Sequence, residues 1–308
     1  MEPHYAPELR NADRITAMKK KSVIILLGAV AVIFAAAVLS ALLSRFALTV
    51  SRYELTEPAL DRPIRIVQLT DLHNSEFGRE NRRLVELVAE QKPDLILLTG
   101  DLLNQEQERT DVALKLIRKL AAVAPVYASY GNHEVVHERS FGTDFRELYA
   151  EAGATVLDFA WSDVTVNGQE LRIGGIYGYC LPGKYLKTGE ANQEECAFLE
   201  SFQDTDRTTL LMCHMPVCWV INGSLNAWDV DVVLCGHDHG GQIRLPWIGG
   251  LRAPDRGWFP GRECGLYWSA DGEKTMVLSR GLGTSGRVPR LNNIPEILVL
   301  DLIPGQTA

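Results

Sequence analysis

Five short segments, Asp71-Leu72-His73, Gly100-Asp101, Gly131-Asn132-His133-Glu134, His214 and Gly236-His237-Asp238-His239, each directly follow an apolar run. The runs are Ile64 to Thr70, Leu95 to Thr99, Pro125 to Tyr130, Thr209 to Cys213 and Val230 to Cys235. They are short and rich in Val, Ile and Leu, the signature of strands buried on both faces. Parallel strands ending on one sheet edge would aim all five loops at one crevice, where α/β proteins place their sites. Carboxylates, a carboxamide and imidazoles that converge there suit Mn, Fe or Zn better than thiolate-seeking metals. Two such ions roughly 3.5 to 4 Å apart can clamp the attacking and leaving oxygens of a phosphoryl displacement, with one carboxylate bridging them.

From Ile64 the chain alternates strand and helix. Helices are expected over Arg79 to Gln91, with Leu84, Leu87 and Val88 on one side, and over Asp111 to Ala122, with Val112, Leu114, Leu116, Ile117 and Leu120. Runs at Ala154 to Phe159, Leu171 to Tyr177, Thr275 to Ser279 and Glu296 to Leu302 have few helical patterns between them and point to a second sheet packed on the first. Gly240 to Arg262 is dense in Gly, Pro and Trp, and reads as an ordered rim whose Trp247, Trp258 and Phe259 either line an apolar entrance or pack into the core.

Ser22 to Leu43 is 22 residues without a charge, enough to cross a hydrocarbon core. It is one membrane span or an uncleaved signal, and we favour a retained anchor. Arg10, Arg14, Lys19, Lys20 and Lys21 precede it and Arg45, Arg52 and Arg62 follow, a bias that puts the N-terminus inside and the large domain outside the cytoplasm. The expected organisation is a tail over 1–21, a transmembrane helix over 22–43, a linker over 44–62, one domain over 63–303 and a short tail over 304–308. The net charge of −8 disfavours a broad grip on nucleic acid. Cys213 and Cys235 read as small core residues, Cys180, Cys196, Cys218 and Cys264 have no assigned role, and the even count permits disulfides without specifying a bridge.

The blocks DxH, GD, GNH[DE], H and GHxH occur here in order, and over Arg62 to Leu302 the chain resembles the calcineurin-like metallophosphoesterase family. GHDHGGQIRLPWIGG and SRGLGTS are similar to its membrane-anchored bacterial subgroup of phosphodiesterases and UDP-2,3-diacylglucosamine hydrolase-like enzymes. The resemblance implies a four-layer α/β/β/α sandwich of two mixed sheets flanked by helices. It also implies that Asp71, His73 and His239 hold one metal, that Asn132, His214 and His237 hold the other, and that Asp101 bridges. A metal-bridging hydroxide would attack, and His133 would protonate the departing oxygen. A membrane-proximal or lipid-linked phosphate ester is the expected substrate of this phosphodiesterase or pyrophosphatase. A phosphomonoesterase or protein phosphatase on the same cage, and an idle tethered scaffold, are the rivals.

Around these blocks, Glu134 and Asp238 are expected to support backbone or imidazoles without binding metal, and Asn74 and Asn104 to cap loops or contact phosphate. Arg244, Arg280 and Arg287 either bind a second phosphate or stay solvated. His4 lies in the tail, and His137 is expected in a solvated turn.

Overall fold

The computed structural model describes residues 6–179, 193–221, 223–284 and 288–305. His4, Cys180 and Arg287 lie outside the described residues. Helix α1 (Ala6–Phe46) comes first, and its stretch Ala17–Phe46 is long and apolar enough to cross a membrane. Ile25, Ile33 and Phe34 are among the apolar side chains standing free on it.

The first sheet has the order β1-β16-β2-β3-β4-β5, built from β1 (Thr49–Glu57), β2 (Ile64–Leu69), β3 (Leu95–Thr99), β4 (Val126–Ser129), β5 (Ala154–Val156) and β16 (Glu296–Pro304). Strands β2 to β5 run parallel, and β16 is antiparallel to β2. The second sheet has the order β14-β15-β9-β8-β7-β6, from β6 (Ala160–Val166), β7 (Gln169–Gly178), β8 (Thr208–Met215), β9 (Val232–Cys235), β14 (Gly265–Trp268) and β15 (Thr275–Leu278). Two-residue ladders β10 (Arg244–Leu245) with β11 (Gly249–Gly250), and β12 (Arg252–Ala253) with β13 (Gly257–Trp258), order the rim segment between them.

The period of two along each strand sorts its side chains into separate layers. Leu95 and Leu97 of β3 enter the layer between the sheets, with Ile64, Ile66, Leu210, Met212, Val232 and Leu234. Ile96 and Leu98 of the same strand face outward onto α2 (Arg82–Glu90) and α3 (Asp111–Ala121), through Leu84, Val88, Leu116 and Leu120. On the far side Leu211, Val233 and Met276 pack against Phe198, Leu199 and Phe202 of a helix over Gln193–Gln203. Helices therefore cover both outer faces, giving the four-layer α/β sandwich. Continuous apolar runs are the sequence form of strands covered on both faces.

Three expectations change. The five ligand-bearing runs do not share one sheet: β2, β3 and β4 are in the first, β8 and β9 in the second. Ala154–Val156, the strand part of the run from Ala154 to Phe159, and Glu296 to Leu302 belong to the first sheet, because alternation fixes which faces a strand buries but not which neighbour it pairs with. The segment expected as a linker carries β1, which pairs in parallel with β16 from Thr49↔Glu296 to Glu57↔Pro304, so the folded unit begins near residue 49 and not at 63. Its alternation was legible, with Leu55 buried between exposed Glu54 and Thr56.

Candidate metal centre

The ends of β2, β3, β4, β8 and β9 meet across the seam between the sheets. Hydrogen bonds tie the two edges together: Gln68 Nε2 donates to the Cys235 carbonyl at 3.0 Å, and the His237 N–H donates to both Asp71 carboxylate oxygens at 3.1 Å. His214, the penultimate residue of β8, donates from Nδ1 to the Thr99 carbonyl of the facing sheet at 2.8 Å.

Leaving a strand and dropping a side chain into this seam requires an abrupt turn. Asp71, His73, Asp101, His237 and His239 all have φ between 47° and 71°, the left-handed region that Asp and His enter more readily than most residues. Such conformations cost on the order of 1 to 3 kcal/mol each and persist where surrounding structure fixes them. Two glycines of the motifs answer to close approach. A Cβ on Gly131 would lie 2.2 Å from Asp101 Oδ1, and one on Gly236 would lie 2.2 Å from Thr70 Oγ1 and 2.5 Å from Asp71 Oδ2. Gly131→Ala is therefore expected to destabilise the fold by about 1 to 3 kcal/mol and to lower metal content, checked by thermal melts and metal analysis. A variant that melts and binds metal like the parent would show that the contact can relax.

The side chains form three overlapping groups, Asp71 with His73 and His239, His73 with Asp101 and His133, and Asp101 with His214 and His237, all buried. His73 Nε2 faces His239 Nε2 at 3.3 Å, with Asp71 Oδ1 at 3.8 Å from the first and 3.5 Å from the second. Asp101 Oδ2 lies 3.1 Å from His214 Nε2, 3.7 Å from His73 Nε2 and 3.8 Å from His133 Nε2, and its Oδ1 accepts the His133 N–H at 2.8 Å. The Asn132 Oδ1 is buried with no partner among the described residues. Lone pairs crowded together, and a carbonyl oxygen left over, are costly unless a cation sits among them. The donor set thus fits divalent metal ions.

Electrostatics point the same way. Burial would raise the Asp101 and Asp71 carboxyls, yet the surrounding imidazoles hold both well below the usual range and ionised. Burial would likewise depress His214, but Asp101 beside it lifts that imidazole to about 10. Each ring's second nitrogen shows which face is left for a metal. His214 spends its Nδ1 proton on Thr99, so Nε2, beside Asp101, is the nitrogen from which a metal would displace a proton. His237 Nε2 donates to Asp255 Oδ2 at 2.7 Å, which leaves Nδ1. His239 differs: burial pushes it down to about 3, and its Nδ1 faces Arg290 Nη2, a donor, at 3.3 Å.

Neighbouring residues have structural duties. Glu134 accepts from the N–H groups of Asp101, Leu102 and Gly131 at 2.8 to 2.9 Å and from the Tyr149 hydroxyl at 3.1 Å, tying the second and third ligand loops together. Asp238 is buried and paired with Arg256. Asn104 donates to the His73 carbonyl, and Asn74 to Gln107 and the Arg109 carbonyl. Arg280 pairs with Glu296, and Arg244 with Glu263 and the Gly240 carbonyl, so neither is simply solvated. His137 is buried on the helix over Asn132–Phe141, against Phe141 and Phe145, because the GNHE block begins a helix where a turn was expected. Trp247, Trp258 and Phe259 are exposed on the rim and do not enter the core. Sequence reasoning missed Asp255 and Arg290, since nothing in their spacing pairs them with a histidine; only the density of the rim segment marked the neighbourhood of Asp255.

A family model described as calcineurin-like phosphoesterase matches residues 64–241, which span all five ligand blocks. The chain belongs to the calcineurin-like phosphoesterases. It is therefore a metal-dependent phosphoric ester hydrolase. It is 31% identical over 254 residues to phosphodiesterase YaeI of Escherichia coli (strain K12), covering 78% of this chain and 83% of that one. It is 29% identical over 246 residues to the uncharacterised metallophosphoesterase YkuE of Bacillus subtilis (strain 168), covering 77% and 78%. An uncharacterised metallophosphoesterase of Aquifex aeolicus (strain VF5) is 28% identical over 267 residues, covering 84% and 94%.

Proposed function

We propose that this phosphoesterase holds two divalent ions, of Mn, Fe or Zn, and acts as a phosphodiesterase or pyrophosphatase on a lipid-linked or membrane-proximal phosphate ester. The observation that carries the membrane half of this reading is Asn293. Its N–H donates to Ser44 Oγ of α1 at 3.0 Å, and its side-chain Nδ2 donates to the His239 carbonyl at 2.7 Å. One residue thus joins the apolar helix to the metal cluster. In this reading α1 is a retained single-pass anchor, and its flanking charges place the catalytic domain outside the cytoplasm. The name of the Escherichia coli relative supports diester chemistry.

Asp71, His73 and His239 would hold one ion, Asn132, His214 and His237 the other, and Asp101 would bridge. Two ions in that cage supply Lewis-acid polarisation of phosphoryl oxygens and a lowered pKa for water. His133 accepts the Gln105 N–H at Nδ1, 3.0 Å away, so a neutral ring carries its proton on Nε2, the nitrogen that faces Asp101. In this reading that proton would stabilise charge on a phosphate bound beside Asp101 and pass to the leaving oxygen.

The full-length protein, stripped and resupplied with Mn²⁺, is expected to hydrolyse bis-p-nitrophenyl phosphate faster than p-nitrophenyl phosphate. The reverse order would favour the phosphomonoesterase or protein phosphatase reading, and bound metal without turnover would favour a scaffold. Protease added to right-side-out vesicles should remove the domain; protection would overturn the orientation.

A further inference from the structure

The last turns of α1 do not pack flush on the domain. Ser40 Oγ accepts the Asn292 N–H at 2.8 Å and Ser44 Oγ accepts the Asn293 N–H, one helical turn apart, so one face of the helix is fixed against the loop before β16. Beside that seam lies a cavity of about 570 Å³, within the roughly 300 to 1,000 Å³ range of small-molecule sites. Its helix wall includes Val38, Ala41 and Leu42, and its domain wall includes Leu282, Val288 and Pro289. The helix wall continues into the exposed apolar face of the span, where Leu39 and Leu43 stand free.

Arg290 lines the same cavity and is only 3% exposed. Its Nε donates to the Gly283 carbonyl at 2.7 Å and its Nη2 donates to the Arg280 carbonyl and approaches His239 Nδ1. Its Nη1 is buried with no hydrogen-bond partner among the described residues. A buried cationic N–H without an acceptor is a costly arrangement that an anionic oxygen would relieve. The cavity is thus apolar along Val38, Ala41 and Leu42, polar where Ser44 and Arg45 close the helix side, and cationic at Arg290, the residue that meets His239.

We propose that this cavity is the lipid subsite of the enzyme: it receives an alkyl chain of a phosphate ester from the bilayer alongside α1, and Arg290 binds an oxygen of that ester's phosphate. The proposal rests on the phosphodiesterase reading above and specifies its substrate as an amphiphile whose chain and phosphate are read together. A free phosphate would use Arg290 but leave the apolar walls uncovered. A chain without an anion would leave Nη1 unmatched.

The test uses full-length, Mn²⁺-loaded protein in phosphatidylcholine nanodiscs and p-nitrophenyl phosphodiesters whose second ester group is methyl, hexyl or dodecyl. The kcat/KM of the parent is expected to rise at least about 10-fold from methyl to dodecyl, since burial of two methylenes already supplies that factor. In Ala41→Trp, which fills the cavity from the helix side, the dodecyl-to-methyl ratio should fall to about 1, whereas an undiminished ratio overturns the proposal. Should the variant misfold, labelling of the metal-free parent decides. A dodecyl phosphate with a terminal diazirine should label Leu282 or Pro289, in competition with dodecyl phosphate and not with inorganic phosphate. Label confined to the exposed face of α1, or equal competition by inorganic phosphate, overturns it. A parent inactive on all three diesters would sink the phosphodiesterase reading while the labelling result stood.

Discussion

Asp101→Asn is expected to lower metal-dependent turnover by about 10³-fold and to leave the purified protein short of metal. Asp101 Oδ1 must remain an acceptor because the His133 N–H points at it from 2.8 Å. The amide NH₂ of an asparagine would therefore take the place of Oδ2, the oxygen that three imidazoles face. An acceptor meant for cations becomes a donor, and the shared negative charge is lost. If the bridging carboxylate contributes roughly 4 kcal/mol through the ions it positions, the rate falls by about three powers of ten. Metal analysis beside diester hydrolysis checks both halves. Full activity, or a full complement of metal, would sink the bridging role.

His133→Ala should separate chemistry from metal binding. The ring is fixed from outside by the Gln105 N–H, and its Nε2 lies 3.8 Å from Asp101 Oδ2, beyond hydrogen-bond contact. Metal content should stay near the parent's while turnover falls by about 10² to 10⁴-fold, the range for loss of a general acid. The loss should grow as the leaving group worsens, being larger for an alkyl ester than for p-nitrophenol, whose anion departs without help. An equal loss across leaving groups would assign His133 to positioning or charge stabilisation alone.

The strands that carry ligands were readable because both of their faces are covered, which leaves a continuous apolar run ending at the turn residue. The blocks that cluster at the seam were readable because abrupt left-handed turns restrict the usable residue types, and because Gly131 and Gly236 leave no room for a side chain. Strand partners were not readable. Glu296 to Leu302 alternates Ile297 and Val299 toward the helices with Leu298 and Leu300 toward the other sheet, a pattern either sheet could accept. Nor was the supporting layer readable. Asp255 reaches His237 from 18 residues away and Arg290 reaches His239 from 51, contacts made by three-dimensional closure and not by spacing. His137 was misplaced because the helix that begins at Asn132 turns a residue four positions beyond His133 back into the core.

Since three ligand loops come from one sheet and two from the other, the distance between the sheets sets the bite of the cage. The side chains in that middle layer, Leu97, Met212 and Leu234 among them, are shims under the two halves of a chelator. Interiors at crystal-like density respond to the loss or gain of a single methylene. A cage built this way would have its spacing set partly by hydrocarbon that never touches an ion.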